Sequence, residues 1–226
     1  NRDINAARTS WGSARHLADQ LPPNEPDRSL MQIAPRALLC GSSWRAGDSI
    51  VDADFEELQA LCRASSTHVP LAMGMAGRLM EQAVHARIAE AACLATEYVD
   101  LVESIAEPSV IVGMLYPAIY AKYEATRMTE VLQLAQRVID LADGDPTKGN
   151  LLTGSPLAFA TVMQASARCA LGQKGWKDDF NHAIDIAQVD QTTWVSMVMF
   201  KYVLGIPLGA MLPDSAALDD TARALE

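Results

Sequence analysis

Three tyrosines at i, i+4 and i+7, Tyr116, Tyr120 and Tyr123, stand beside Pro117 and Lys122. Helical spacing lines all three rings along one face. A tyrosine ring offers wide contact area with few rotamers to freeze, and its hydroxyl can stay hydrogen-bonded in free and bound states. With Lys122 they form a candidate groove for a partner or effector; the other reading is packing between helices, with the hydroxyls reaching solvent or backbone. Pro117 removes one backbone donor and can bend a helix running from Val110 to Glu124, leaving a concavity and freed carbonyls.

Other motifs carry less chemistry. GDPTKGN at 144–150 has glycines and a lysine, but Lys148 precedes Gly149, the reverse of the GK[ST] order that sets a P-loop lysine over phosphates. It reads as an inter-helix loop. His16, His68, His85 and His182 show neither HExxH nor an i, i+4 pair, so no metal site is advertised. Gly41-Ser42-Ser43 is not GxSxG, and no strand-to-helix elbow surrounds it. The acid pairs Asp178-Asp179 and Asp219-Asp220 fall near helix starts or on polar faces, where the helix dipole accounts for them. The sequence therefore predicts no catalytic, cofactor-binding or metal-binding residue.

Composition bounds the class. The 226 residues are 50% hydrophobic and 20% charged, which suits a folded protein with a substantial core. A net charge of −10 disfavours a phosphate-binding surface, and direct nucleic-acid binding is not expected. Cys40, Cys62, Cys93 and Cys169 are widely separated among apolar neighbours and form no CxxC, so they read as reduced, structural residues of a cytoplasmic protein. The run VSMVMFKYVLGIPLGAML is interrupted by Lys201, Gly205 and Pro207 and falls short of the roughly 20 residues a membrane span needs. It is expected to be a buried, broken helix.

The elements follow from periodicity. In Gly154 to Gln188, Ser155 is a good N-cap and Pro156 suits the first helical position. Leu157, Val162, Ala165 and Cys169 recur at helical spacing until Leu171-Gly172, where GQKG makes the corner. Trp176, Phe180, Ala183, Ile184 and Ala187 give a second stripe, so the pair should pack as a hairpin. A similar pair lies upstream, with a turn near Glu124 to Thr126 and a stripe at Met128, Val131, Ala135, Val138 and Ala142. Ile139-Asp140-Leu141-Ala142 recurs as Ile184-Asp185-Ile186-Ala187, 45 residues later, as helical-hairpin repeats with a long loop would.

Nearer the start, residues 1–20 hold one helix with Ile4, Trp11, Ala14 and Leu17-Ala18, broken by PPNEP at 22–26. Pro35 should kink or split the next helix, with Gly41 to Ser43 as its frayed end. Asp52 or Asp54 should cap a short helix with Phe55, Leu58, Leu61 and Cys62 inside. After Pro70 two helices are expected with a turn near His85 to Arg87, and Gly74 and Gly77 on a face open to close approach. No strand-like alternation occurs.

RSLMQIAPRALLCGSSWRAG, YPAIYAKYEA, LAQRVIDLADGDPTKGN, GSPLAFATVMQASARCALGQKGWKDDFNHAIDIA and KYVLGIPLGAMLPD, taken in order, carry a resemblance over about residues 20–226. They resemble the tetratricopeptide-like helical region that follows the ATPase module in actinobacterial adenylate or guanylate cyclase-like ATPases and LuxR-type, signal-transduction NTPase regulators. The resemblance implies a sensing or contact-making superhelix within a larger protein. The strict 34-residue pattern and its W-x2-L-G-x2-Y signature are absent, so the helical pairs would stack irregularly.

The expected fold is all-α: an α-solenoid of stacked helical hairpins, roughly ten helices. Residues 1–226 form one repeat domain, with an entry helix and linker at 1–25, a repeat core at 26–212 and a truncated helix at 213–226. Opening on Asn1 without a leader pattern, it reads as a piece of a longer protein. The expected role is a non-catalytic sensor or protein-interaction domain that uses no cofactor. Its partners would be a protein segment or neighbouring domains of the parent chain, with a small effector controlling a linked cyclase or DNA-binding output as the alternative, and no membrane.

Overall fold

The computed structural model describes residues 4–47, 50, 52–151 and 154–225. Among them the chain is all-α, with twelve α-helices, one 3-10 turn and no strand. By its contacts it divides into two compact units, Asn1–Ile105 and Ala106–Glu226.

The first unit holds α1 (Ile4–Asp19), α2 (Arg28–Ala46), α3 (Asp52–Ala64), α4 (His68–Val84) and α5 (Ile88–Ser104). Its core gathers Ile33, Ala37 and Cys40 of α2 with Leu58 and Cys62 of α3. Pro35 does not split α2: the helix runs through it, and Ser42 and Ser43 are buried rather than frayed. Packing overrides the local signals. An added Cβ at Gly41 would sit 3.0 Å from the Met73 carbonyl of α4, and one at Gly77 would sit 2.0 Å from the Cys40 carbonyl. The two helices therefore cross backbone to backbone, as the spacing of Gly74 and Gly77 predicts. Ser43 returns its hydroxyl to the Cys40 carbonyl at 2.9 Å, while Ser42 accepts from Arg8 of α1 at 2.8 Å.

The second unit holds α6 (Pro108–Met114), α7 (Tyr116–Glu124), α8 (Met128–Ala142), α9 (Pro156–Ala170), α10 (Trp176–Ile186), the 3-10 turn Ala187–Val189, α11 (Gln191–Gly205) and α12 (Ser215–Leu225). Pro117 parts α6 from α7 at Leu115, as its missing donor requires. Ser155 caps α9, its hydroxyl accepting from the Ala158 N–H at 3.2 Å. The single apolar stripe predicted for α9 is wrong, because every residue from Pro156 to Ala167 is buried. The helix touches α6, α7, α8, α10 and α11, so no side of it is left to water.

A sequence register joins these helices. Ser66, Ala86, Ala106 and Thr126 all have positive φ, at 52°, 58°, 56° and 58°, and each lies 20 positions after the one before. After three of them the next N–H bonds five residues back: Thr67 to the Cys62 carbonyl at 3.0 Å, Arg87 to Gln82 at 2.9 Å and Arg127 to Lys122 at 2.9 Å. These are left-handed helix caps of the Schellman type. The core follows the same step. Phe55, Met75, Ala95, Leu115 and Ala135 are all buried, as are Cys62, Gln82, Val102, Lys122 and Ala142. A left-handed conformation costs a residue with a Cβ roughly 1 kcal/mol relative to glycine. Ala86→Gly is accordingly expected to stabilise the chain by about 0.5–1 kcal/mol, read as a higher urea midpoint at unchanged slope.

Two further expectations need correction. Cys93 is exposed and Cys169 only partly buried, so only Cys40 and Cys62 act as core hydrophobes. On α12 an apolar stripe through Leu218, Ala222 and Leu225 is expected from the sequence, but Ala217 is buried whereas Leu218 and Ala222 are exposed; the Leu225 side chain lies outside the described residues. No helix among the described residues is long and apolar enough to cross a membrane.

Candidate functional site

The tyrosine face begins at the helix break. Gly113, four residues before Pro117, is buried against the loop that follows α8, where an added Cβ at Gly149 would lie 2.5 Å from the Gly113 nitrogen. That loop is held by its own polar groups. Asp145 accepts from the Thr147 N–H at 2.8 Å and hydroxyl at 2.7 Å, and Lys148 donates to the Leu141 carbonyl at 2.6 Å. The lysine of GDPTKGN thus ties the loop to the end of α8.

Tyr116, Tyr120 and Tyr123 of α7 are each partly buried. The Tyr116 and Tyr120 rings are brought together, with centroids 6.2 Å apart. Tyr116 also lies 4.7 Å from Phe159 of α9, and Phe159 lies 6.1 Å from Phe200 of α11 in an edge-on contact. Such tilted and edge-on pairs are favoured by the ring quadrupoles. An aromatic file therefore runs across three helices of the second unit, from Tyr120 through Tyr116 and Phe159 to Phe200. Sequence reasoning missed Phe159 and Phe200, since they lie 43 and 84 positions beyond Tyr116 and share no local period with it.

Burial and a nearby charge move two of the phenols further above their ordinary value. Burial, followed by the neighbouring Glu124 carboxylate, pushes the Tyr120 hydroxyl up to about 12, and the same causes raise Tyr123. The Tyr120 O–H is engaged by the Glu124 carboxylate, and the Tyr123 hydroxyl is held protonated.

Lys122 does not join this face. It is 3% exposed, and its ammonium lies 2.7 Å from Glu130 of α8. The hydrogen bond from Lys122 outweighs desolvation and holds the Glu130 carboxyl below its ordinary value, with smaller help from Arg127. Lys122 thus joins α7 to α8, in the core column that Val102 and Ala142 occupy elsewhere. Its amphipathic stem explains how a lysine can stand there.

The remaining titratable groups are spread out. Among the described residues no three His, Cys, Asp or Glu side chains gather as metal ligands. Asp179 pairs with Arg168 of α9 at 2.6 Å, and Asp220 accepts from the Tyr202 hydroxyl at 2.6 Å. Both second members of the predicted acid pairs therefore bind side chains on neighbouring helices rather than only complementing a dipole. An open depression of about 450 Å³ is lined by Gln188, Asp190, Gln191, Trp194 and Arg223, a polar rim apart from the aromatic file.

Compared with protein-family models, with curated proteins and with solved structures, the chain gives no match.

Proposed function

We propose that this chain is a non-catalytic interaction domain that receives a protein segment on the partly exposed rings of the aromatic file, Tyr116 and Tyr120 of α7 and Phe200 of α11, with Phe159 of α9 backing them from the core. It would be the sensing or contact arm of a larger ATPase-containing signalling or transcriptional regulator in the cytoplasm. The supporting observation is the continuity of Tyr120, Tyr116, Phe159 and Phe200 across three helices. Rigid aromatic rings give large contact area at small entropic cost, and such residues dominate the energetics of many interfaces. A small effector would instead need an enclosed apolar pocket with a few convergent polar groups.

The test is selection of a phage-displayed random peptide library on the 226-residue chain. Binding of the enriched peptides is then measured on wild type, Tyr116→Ala and Tyr120→Ala at matched helical circular dichroism. Each substitution is expected to weaken binding about tenfold or more, the loss of roughly 1.4 kcal/mol. Equal binding to all three proteins, or no enriched peptide at all, would remove the aromatic file as the docking site.

A further inference from the structure

The three helices that carry the aromatic file, α7, α9 and α11, hold four charged residues: Lys122, Glu124, Arg168 and Lys201. All three cations are turned onto other helices. Lys122 pairs with Glu130 of α8 at 2.7 Å and Arg168 with Asp179 of α10 at 2.6 Å, while Lys201 lies 3.4 Å from the Asn181 side-chain oxygen of α10 and 3.9 Å from Asp220 of α12. Glu124 differs. It is exposed, and among the described residues no ammonium or guanidinium pairs with it; Arg127, the next cation along the chain, goes to Glu130. This carboxylate is continuous with the file, because Tyr116, Tyr120 and Glu124 stand at i, i+4 and i+8 of α7 and the Tyr120 O–H is engaged by Glu124. Glu124 also closes α7, where the negative end of the helix dipole adds to its charge. The opposite end of the file is open as well. α11, expected from the sequence to be a buried, broken helix, holds Thr193, Met197 and Val198 inside but leaves Phe200 partly exposed. From Phe200 through Phe159 and Tyr116 to Tyr120, the rings thus end in one unpaired negative charge.

We propose that the segment received on the aromatic file is basic, with an arginine side chain that pairs with Glu124 and lies along the Tyr120 ring. The assignment rests on the docking reading above and names the chemistry of its partner. A guanidinium is planar, so it can stack on an aromatic face and bond a carboxylate through two N–H groups at once. An ionised carboxylate offers about four acceptor positions, so holding the Tyr120 hydroxyl leaves room for both. The other segment chemistries are disfavoured. An acidic segment would set carboxylate against carboxylate with the three cations of these helices already committed, and a wholly apolar one would strip water from Glu124 and leave it unpaired. The net charge of −10 acts in the same sense at longer range, drawing cationic segments toward the chain.

Two random decapeptide libraries displayed on phage, one with a fixed central arginine and one with a fixed central glutamate, are selected in parallel on the 226-residue chain. The arginine library should enrich and the glutamate library should not. Binding of the enriched peptides, and of the same peptides with glutamine in place of the arginine, is then measured by fluorescence anisotropy on wild type, Glu124→Gln and Tyr116→Ala at matched helical circular dichroism. Glu124→Gln should weaken the arginine peptides about fivefold or more and leave the glutamine peptides unchanged, the mark of a direct pair. Added salt should weaken binding to wild type more than binding to Glu124→Gln. Glu124→Lys is the second variant, and should reverse the selection in favour of the glutamate library. Equal enrichment from both libraries, or arginine peptides that bind Glu124→Gln as tightly as wild type, would overturn the basic partner; if Tyr116→Ala still weakens those peptides, the docking reading stands without it. Arginine peptides weakened by Glu124→Gln and untouched by Tyr116→Ala would instead remove the aromatic file and keep the basic partner at Glu124. No enrichment from either library overturns both.

Discussion

Gly77→Ala is expected to destabilise the first unit by about 3 kcal/mol, at the upper end of what an added methyl costs a packed core. The new Cβ would lie 2.0 Å from the Cys40 carbonyl oxygen, 2.7 Å from its carbon and 2.8 Å from the Gly41 Cα. All three are backbone atoms, so no side-chain rotation relieves the clash, and α2 must move off α4. That crossing sits beside the core cluster of Ile33, Ala37, Cys40, Leu58 and Cys62, so the displacement opens the core as well. Gly12→Ala is the control. Nothing lies within 4 Å of a Cβ there, and an interior helical glycine replaced by alanine should gain about 0.5–1 kcal/mol. Urea unfolding followed by circular dichroism separates the two; a Gly77→Ala protein as stable as wild type would show that the helices are not in backbone contact.

A second large effect is expected from removing charge around Arg36. Its side chain is 2% exposed, and its guanidinium lies 2.8 Å from both Asp19 of α1 and Glu57 of α3. Arg15 joins the network, 2.8 Å from Asp54 and 3.2 Å from Glu57. The carboxylates are partly in water but the arginine is not, so the two sides of the pair respond differently to mutation. Asp19→Asn with Glu57→Gln leaves a buried cation without a counter-charge and should cost about 3–5 kcal/mol. Arg36→Met should cost far less, because the freed carboxylates regain hydration and an apolar side chain fills the volume. Thermal melts of the two proteins at one pH check the order; equal destabilisation would mean that packing rather than charge sets the value of this site.

Much of the fold is legible in the sequence where hydrophobic spacing and turn chemistry agree. Of the stripe Met128, Val131, Ala135, Val138 and Ala142, all but the partly buried Met128 lie in the core, and the turn expected at His85 to Arg87 separates α4 from α5. The 20-residue step was hidden for two physical reasons. Its turns hold Ser66, Ala86, Ala106 and Thr126 where glycine would normally announce a left-handed residue, and its core columns mix alanine with phenylalanine and admit Gln82 and Lys122. Pro35 and Gly41 gave the opposite error. Their local preference to end a helix is outweighed by contacts with elements distant in the chain, and a one-dimensional pattern does not carry those contacts. The candidate site divides the same way. The tyrosine spacing is local and readable, whereas Phe159 and Phe200 meet it only after the helices pack, and Lys122 is drawn off by Glu130 of the next helix.

The shared 20-residue step also sets which changes of chain length this architecture can absorb. A residue inserted inside a helix turns everything after it in that helix by about 100°, carrying a core column such as Phe55, Leu58 and Cys62 out to the surface. Inserting a whole helix with its turn returns the following column to phase. The loop from Asp143 to Ser155 lies between helices and can change by single residues, except where Gly149 meets α6. Length variation among descendants of this chain is therefore quantised, in steps of one helix and its cap through α3 to α8 and in single residues between α8 and α9.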